Sequence, residues 1–509
     1  LVRRLNGDYV ETVAGISKLL NWIFGKMASP NHLQPSWWIE GIAILSESRF
    51  TSGGRNRNSL YDMYLRMAVL EQKTQDLGEI SSAPVKFPHG STPYLYGSRF
   101  LKYVVGRYGV DPLVRISHDF GSEWVPYGFN KVARRHLGKR DYVRLYREWM
   151  ADMRRRYQLQ AKRVRHRGLR EGQRITHTGD YTYWPRFHPS GGWLLYSDDD
   201  GKSDPQWKRL ERGATRARKV VRLEGGGAGS FDPAGRHLIY HQWESHRATY
   251  SFLDLFEYDL QRGVRRRLTR GQRLREPDVS PDGGRIAAVM NRKGTTHLVL
   301  LPRRGLRRGE APQILVRSKP YHQVATPRWS PDGRTVAYSA WEQGGKRDLF
   351  VVDVATGKTL RLTNDRAQEV SPAWSPDGKT LYFSSDRTGI YNVYALALKS
   401  QLLRQVTNVV HGALMPAISP DGQTLVYVGF TSRGYDLYRM PLDRSRFLPA
   451  LPYLNERPAP RTEQRPPPKM KVSKYRAWRS LYPEGWWFQA GFTPGDEFLT
   501  LLLEGNDLA

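Results

Sequence analysis

The chain has 509 residues, 39% of them hydrophobic, with 15 Trp and 28 Tyr, which exceeds one ordinary core and excludes a disordered chain; about two or three domains are expected. Zero cysteines exclude disulfides, thiolate metal sites and cysteine nucleophiles. The net charge of +31 is spread out, since residues 1–170 hold 29 Lys and Arg against 14 Asp and Glu, a net +15 that leaves +16 for the rest; with no helix-turn-helix, zinc-finger or RNA-binding signature, no sequence-specific nucleic-acid partner is expected.

Residues 1–157 read as helical, from "YVETVAGISKLLNWIFGKM" through "SLYDMYLRMAVLEQ" and "PYLYGSRFLKYVVGRYG" to "YVRLYREWMADMRRRY". Apolar residues recur at three and four, as in Phe100, Tyr103, Val104 and Tyr108. Gly109 closes one helix, and Asp111-Pro112 starts the next with a cap and an N1 proline. Within this region "PSWWIEGIAILSES" sets Glu40 among Trp, Ile and Leu, where a carboxylate is costly to bury unless it is paired or bound to metal. The residue-level alternative is a bond to a nearby Arg or a helix N-terminus.

"LQPSWWIEGIAILSES", followed by "TPYLYGSRFLKYVVGRYG" and a closing "Y-x-x-L-Y-x-x-W", resembles the C-terminal half of the gluzincin metallopeptidase domain, the thermolysin and aminopeptidase type. The resemblance implies that Glu40 is a zinc ligand, with Gly41 and Ala43 as the small residues after it. It makes Glu47, two turns on and on the same face, an acidic residue behind the ligands. Tyr94 becomes the tyrosine that stabilises the oxyanion, with Tyr96 as the alternative. Three protein ligands and a water would make a catalytic zinc site. The chain contains no HExxH, the family's source of two histidines, so zinc is expected only if that motif precedes Leu1 in a longer product. Without that motif the chain is expected to be inactive.

A basic run, "RRRYQLQAKRVRHRGLR" from Arg154 to Arg170, has no acidic residue and is read as the approach to a linker over 158–171, facing solvent or lipid headgroups. Beyond it the chain repeats a turn: "RFHPSGGWLLYS", "SFDPAGRHLIYH", "DVSPDGGRIAAV", "RWSPDGRTVAYS", "AWSPDGKTLYFS" and "AISPDGQTLVYV". The turn glycines Gly191, Gly235, Gly283, Gly333, Gly378 and Gly422 are 44, 48, 50, 45 and 44 residues apart, the length of a four-stranded propeller blade. Asp-Gly favours a tight hairpin, and the preceding Pro stops the incoming strand. Alternating apolar residues follow, then a polar turn such as "SDRTG", a third strand, and a fourth ending in "RLT" or "QVT".

The repeats resemble those of the TolB-like propellers over about residues 172–445; Ser190 and Ala234 depart from the turn Asp. The fold class is therefore multidomain: an N-terminal all-α, gluzincin-like partial domain followed by an all-β six-bladed propeller. No G-x-S-x-G elbow accompanies it, so a prolyl-oligopeptidase arrangement is not expected. His237 and His241 have the spacing of a helical zinc pair, but a strand separates them by about 13 Å, so they read as ordinary strand residues.

Residues 446–474 are proline-rich and read as an extended linker. Residues 475–509 read as strand-like and are similar to the first strands of a C-terminal outer-membrane barrel. The resemblances together imply a periplasmic, outer-membrane-associated protein whose propeller channel or rim takes a protein or peptide. Its full-length form is expected to be a zinc peptidase; the competing reading is a non-catalytic scaffold. A cysteine-free chain suits an oxidising periplasm, and its basic surface suits contact with anionic lipid or acidic polymers.

Overall fold

The computed structural model describes residues 33–454 apart from 52, 83, 124–127, 226 and 343, the strand pair Gly485–Thr493 and Asp496–Glu504, and the single residues Leu19 and Ile23. The helix expected over "YVETVAGISKLLNWIFGKM" and most of the proline-rich segment lie outside the described residues.

The helical domain contains α1 (Ser36–Phe50), α2 (Ser59–Leu70), α3 (Thr92–Tyr108), α4 (Asp111–Gly121), α5 (Phe129–His136) and α6 (Tyr142–His166). Asn58 and Asp141 cap α2 and α6 by accepting backbone N–H groups, while α3 and α4 carry Pro in the first turn. Trp37, Trp38, Phe100, Phe120, Phe129 and Tyr142 fill the core, largely edge to face.

Six antiparallel sheets form the propeller, one per repeat. Blades 1 to 5 begin at Tyr181, Gly229, Leu274, Gln323 and Glu369, and each supplies its four strands in sequence order. Blade 6 (Leu414–Ile418, Thr424–Thr431 and Gly434–Pro441) takes its fourth strand from the other end of the domain, Gln173–Arg174. The reason is legible in "QRIT", which repeats the end of the fourth strand elsewhere. Arg174 and Thr176 hold the buried Asp436 carboxylate at 2.5 and 2.8 Å, as Arg267 and Thr269 hold Asp254 in blade 2. In each full "SPDG" turn the Ser hydroxyl donates to the Asp carboxylate and accepts the amide five residues on. The turn glycines have φ near +70°, as Gly283 at 72° and Gly422 at 70°.

The innermost strands of five blades bulge at a residue with positive φ: Trp184, Glu276, Thr326, Ser371 and Met415. Each precedes a proline, which lacks the N–H a regular ladder needs and so forces the shift in register.

The structure corrects two boundaries. The basic run is not a linker over 158–171, because α6 continues through it to His166; the stripe Met150, Met153, Tyr157 and Ala161 stays buried, which holds the helical period past residue 157. The loop after it is tied down as well, Asn408 donating to the Val164 and Gly168 carbonyls at 2.9 and 2.8 Å. The linker expected over 446–474 begins as a fifth strand, since Leu448–Pro449 pairs with Arg404–Gln405 on the edge of blade 5. In the tail, Gly485–Thr493 and Asp496–Glu504 form an antiparallel hairpin. Among the described residues no helix is long and apolar enough to cross a membrane.

Candidate functional site at the helix crossing and the propeller mouth

Helices α1 and α3 touch through glycine. A Cβ on Gly97 would lie 2.0 Å from the Trp37 carbonyl oxygen, and one on Gly41 2.7 Å from the Gly97 carbonyl carbon. That approach brings together residues just before each glycine: the Tyr94 hydroxyl donates to Glu40 Oε1 at 2.7 Å. Glu40 is half-buried, so it escapes the full cost of burial and gains a charge-assisted bond. The Glu40 contact, then burial, raises the pKa of Tyr94. Tyr96 faces the core instead; it is buried and accepts the Gln75 amide at 3.3 Å.

Glu47 stands about 10 Å further along α1. Arg55, in the loop before α2, binds it twice, by its backbone N–H at 3.1 Å and its Nε at 3.0 Å. The Arg55 guanidinium also lies 5.3 Å from the Tyr94 ring centroid. Burial opposes the charge on Arg55, yet Glu47 outweighs it and the pKa is raised. Glu40, Glu47 and Tyr94 therefore form one surface with Arg55 at its centre. Arg55 was missed in the sequence; its signal was "GGRNRN", two cations in a glycine-bounded loop directly after the helix.

These residues do not fit a catalytic zinc by themselves. Among the described residues no three His, Cys, Asp or Glu side chains converge as a ligand set, and Glu47 is engaged by Arg55. His237 and His241 lie in one strand, His237–His246. His237 turns to Asp232 at 2.9 Å, whereas His241 is buried and accepts the Glu276 amide at 3.2 Å.

The helical domain sits on the propeller face opposite the SPDG turns, and its contact there has two characters. Over blades 5, 6 and 1 it is largely aromatic: Tyr64 stacks on Phe430 at 4.8 Å and meets the Tyr435 hydroxyl at 2.5 Å, and Phe87 packs on Tyr181. Arg66, fully buried, donates to the Val410 carbonyl at 2.8 Å, and Ser59 donates to Asp386 at 2.7 Å. Toward blade 4 the contact opens into a cleft of about 320 Å³, lined by Glu47, Arg55 and Arg57 on one side and Trp341, Lys346 and Arg347 among others on the other. Burial, then the nearby charge of Arg366, lowers the pKa of Arg57.

The inner strands of blades 1, 3 and 4 are themselves charged. Arg186 and Arg328 flank Asp278 at 3.5 and 3.9 Å. Burial, then Arg328, pushes Arg186 down to about 9.

A family model described as the TolB beta propeller domain matches residues 276–459, and the propeller is TolB-like. A Tol-Pal system protein TolB of Francisella tularensis subsp. tularensis is 38% identical over 89 residues, 16% of this chain and 20% of that protein. An uncharacterized protein of Treponema pallidum (strain Nichols) is 29% identical over 106 residues, 21% of this chain and 10% of its own. The chain thus spans a tenth to a fifth of the length of these relatives. Among solved structures, the putative TolB from Agrobacterium tumefaciens aligns over 45% of this chain and 81% of its own, with 22% identity and a TM-score of 0.38.

Proposed function

We propose that this chain is a protein-binding part of a periplasmic envelope protein, in which the propeller face carrying the helical domain grips a polypeptide partner. The observation that carries the reading is the position of the helical domain, fixed by its apolar contact with the propeller while the side toward blade 4 stays open as a cleft. A domain held this way shapes a recess, and recesses between domains are where ligands bind. The TolB-like match over the propeller supports a protein partner. The nine-residue strands of the C-terminal hairpin match the length that spans a bilayer as part of a barrel, which supports outer-membrane association.

The test is photo-crosslinking in the envelope from a probe at Gln368, in the cleft, against one at Asp421, on the SPDG side. A discrete protein adduct from Gln368 alone is expected. Equal adducts from both, or none, would refute the reading.

A second reading, a zinc peptidase formed by an extended chain, is favoured by one observation: the Tyr94 hydroxyl meets Glu40 across the glycine contact. In that reading Glu40 would hold the metal beside two upstream histidines, and the metal would supply Lewis-acid chemistry for hydrolysis. Tyr94 holds a proton at its hydroxyl next to the reacting group, and Glu47 positions Arg55. An HExxH in the coding sequence before Leu1 is required, and its absence ends this reading. Where it is present, Glu40→Gln is expected to lose bound zinc and casein hydrolysis; retention of both would dismiss Glu40 as a ligand.

A further inference from the structure

We propose that the seam between blades 6 and 1 holds a small monocarboxylate with an apolar body, of the medium-chain fatty-acid class, whose head group pairs with Arg439. The site lies toward the SPDG turns, so the inference stands apart from the protein-binding reading of the opposite face.

The blade repeat shows what is unusual at this seam. The third-strand residue paired with Ala287, Ala337 and Tyr382 in blades 3, 4 and 5 is Leu300, Val351 and Ala395. Each packs into the apolar layer shared with the following blade. Blades 1 and 2 carry Arg209 and Glu257 at that position, and both charges are paired, Arg209 with Glu211 at 2.5 Å and Glu257 with Arg266 at 2.8 Å. Blade 6 carries Arg439, opposite Val426. It is half-buried and has no ion pair or side-chain hydrogen bond among the described residues. Partial burial of an unpaired guanidinium costs hydration without return, and three blades fill the same position with an apolar chain.

The apolar surface at the seam also stays open. Between blades 4 and 5 the four facing positions, Ala337, Val351, Leu381 and Leu396, close into one cluster. Between blades 6 and 1 the equivalent residues are Val426, Arg439, Leu194 and Leu210, and they line a cavity of about 380 Å³. Phe187 and Trp193 extend its apolar wall. A guanidinium does not fill such a space as Leu or Val does, because it keeps its head in water.

The two carboxylates that line the cavity are engaged elsewhere. Glu211 accepts from Arg209 Nε at 2.5 Å, and Asp421 accepts the Ser419 hydroxyl at 2.5 Å and the Gln423 amide at 3.0 Å within its exposed turn. A ligand carboxylate matches the fork of the guanidinium, and an aliphatic body takes the wall out of water. The volume lies in the range of small-molecule sites.

The test titrates the full chain calorimetrically with decanoate below its micellar concentration, with decanol and acetate as further probes. Decanoate is expected to bind once per chain, and decanol and acetate each about tenfold more weakly or worse. Arg439→Leu restores the residue type of blade 3, and is expected to weaken decanoate about tenfold while leaving decanol unchanged. Leu210→Phe fills the cavity from blade 1 without touching the charge, and is expected to weaken decanoate and decanol alike. Arg262→Leu, in blade 2 with its side chain 81% exposed, is expected to change nothing. Decanoate affinity that survives either cavity variant overturns the proposal. Decanol that binds as tightly as decanoate overturns the role of Arg439, and acetate that does so overturns the apolar body. A peptide with a C-terminal leucine carboxylate that binds more tightly than decanoate overturns the small-molecule assignment in favour of a chain terminus.

Discussion

The two edges of the helical domain solve opposite problems on the same propeller face. The edge over blades 5, 6 and 1 packs Tyr64, Met63 and Phe87 against Phe430, Tyr435 and Val428, with hydrogen bonds from Ser59, Tyr64 and Arg66 across it. The edge toward blade 4 collects cations and leaves a cavity. Apolar burial gives adhesion without specificity for a ligand, whereas a recess between domains keeps room for one. One edge is an anchor, and the other is the receptor of the proposed reading.

Breaking the anchor has the largest expected effect. Tyr435→Ala removes a buried ring shared by Tyr64, Phe430 and Tyr183 and is expected to lower the unfolding free energy by about 3–5 kcal/mol, read by urea denaturation. It should also let a protease reach the α6 to propeller junction. An unchanged midpoint would mean that the aromatic edge does not hold the domains together.

Acid tests the propeller itself, apart from either edge. Burial, against the opposing charge of Glu276, lowers His241 from its usual 6.5 to about 4. A lowered folded pKa means that the unfolded state binds the proton more readily. The stability is therefore present above about 6.5 and lost as the pH falls toward 4, amounting to about 2–3 kcal/mol. His241 of blade 2 accepts the Glu276 amide of blade 3, so the loss belongs to the contact between those two blades. His241→Gln is expected to flatten the midpoint between pH 7 and 4.5; a curve identical to the parent's would assign the acid loss elsewhere.

Gly97→Ala acts on the helix crossing that supports the receptor. Its Cβ meets the Trp37 carbonyl, so α1 and α3 must separate, at an expected cost of about 1–3 kcal/mol. The Tyr94 to Glu40 bond should break with it, returning the Tyr94 hydroxyl toward its ordinary pKa in an ultraviolet titration. Glu40→Gln is expected to change stability by under about 1 kcal/mol, because the site is half-exposed. A larger loss would show Glu40 to be a structural charge.

Much of this was legible. Turn chemistry repeats with the blade, so "SPDG" and its spacing announced six sheets, and "W-x-x-E-G-x-A" with "YLYG" named Glu40 and Tyr94 as residues that belong together. The fourth-strand signature in "QRIT" and the prolines behind Trp184, Glu276, Thr326, Ser371 and Met415 were present but gave no signal to a pattern of turns and apolar alternation. The linker reading of residues 158–171 went wrong for a related reason, since charge conceals a helical stripe as sparse as Tyr157 and Ala161.

What the sequence determined by itself is local: where strands turn, where helices start, and which residues recur, because φ, hydrogen-bond capacity and apolar period act over a few residues. Only the tertiary structure decided that Arg55 sits between Glu47 and Tyr94, that Gln173–Arg174 closes blade 6, and that Arg57 faces Arg347 and Arg366 across a cleft. Those partners are separated by up to hundreds of positions in the chain, and they meet because close glycine packing and buried aromatic faces fix distances that no local rule contains.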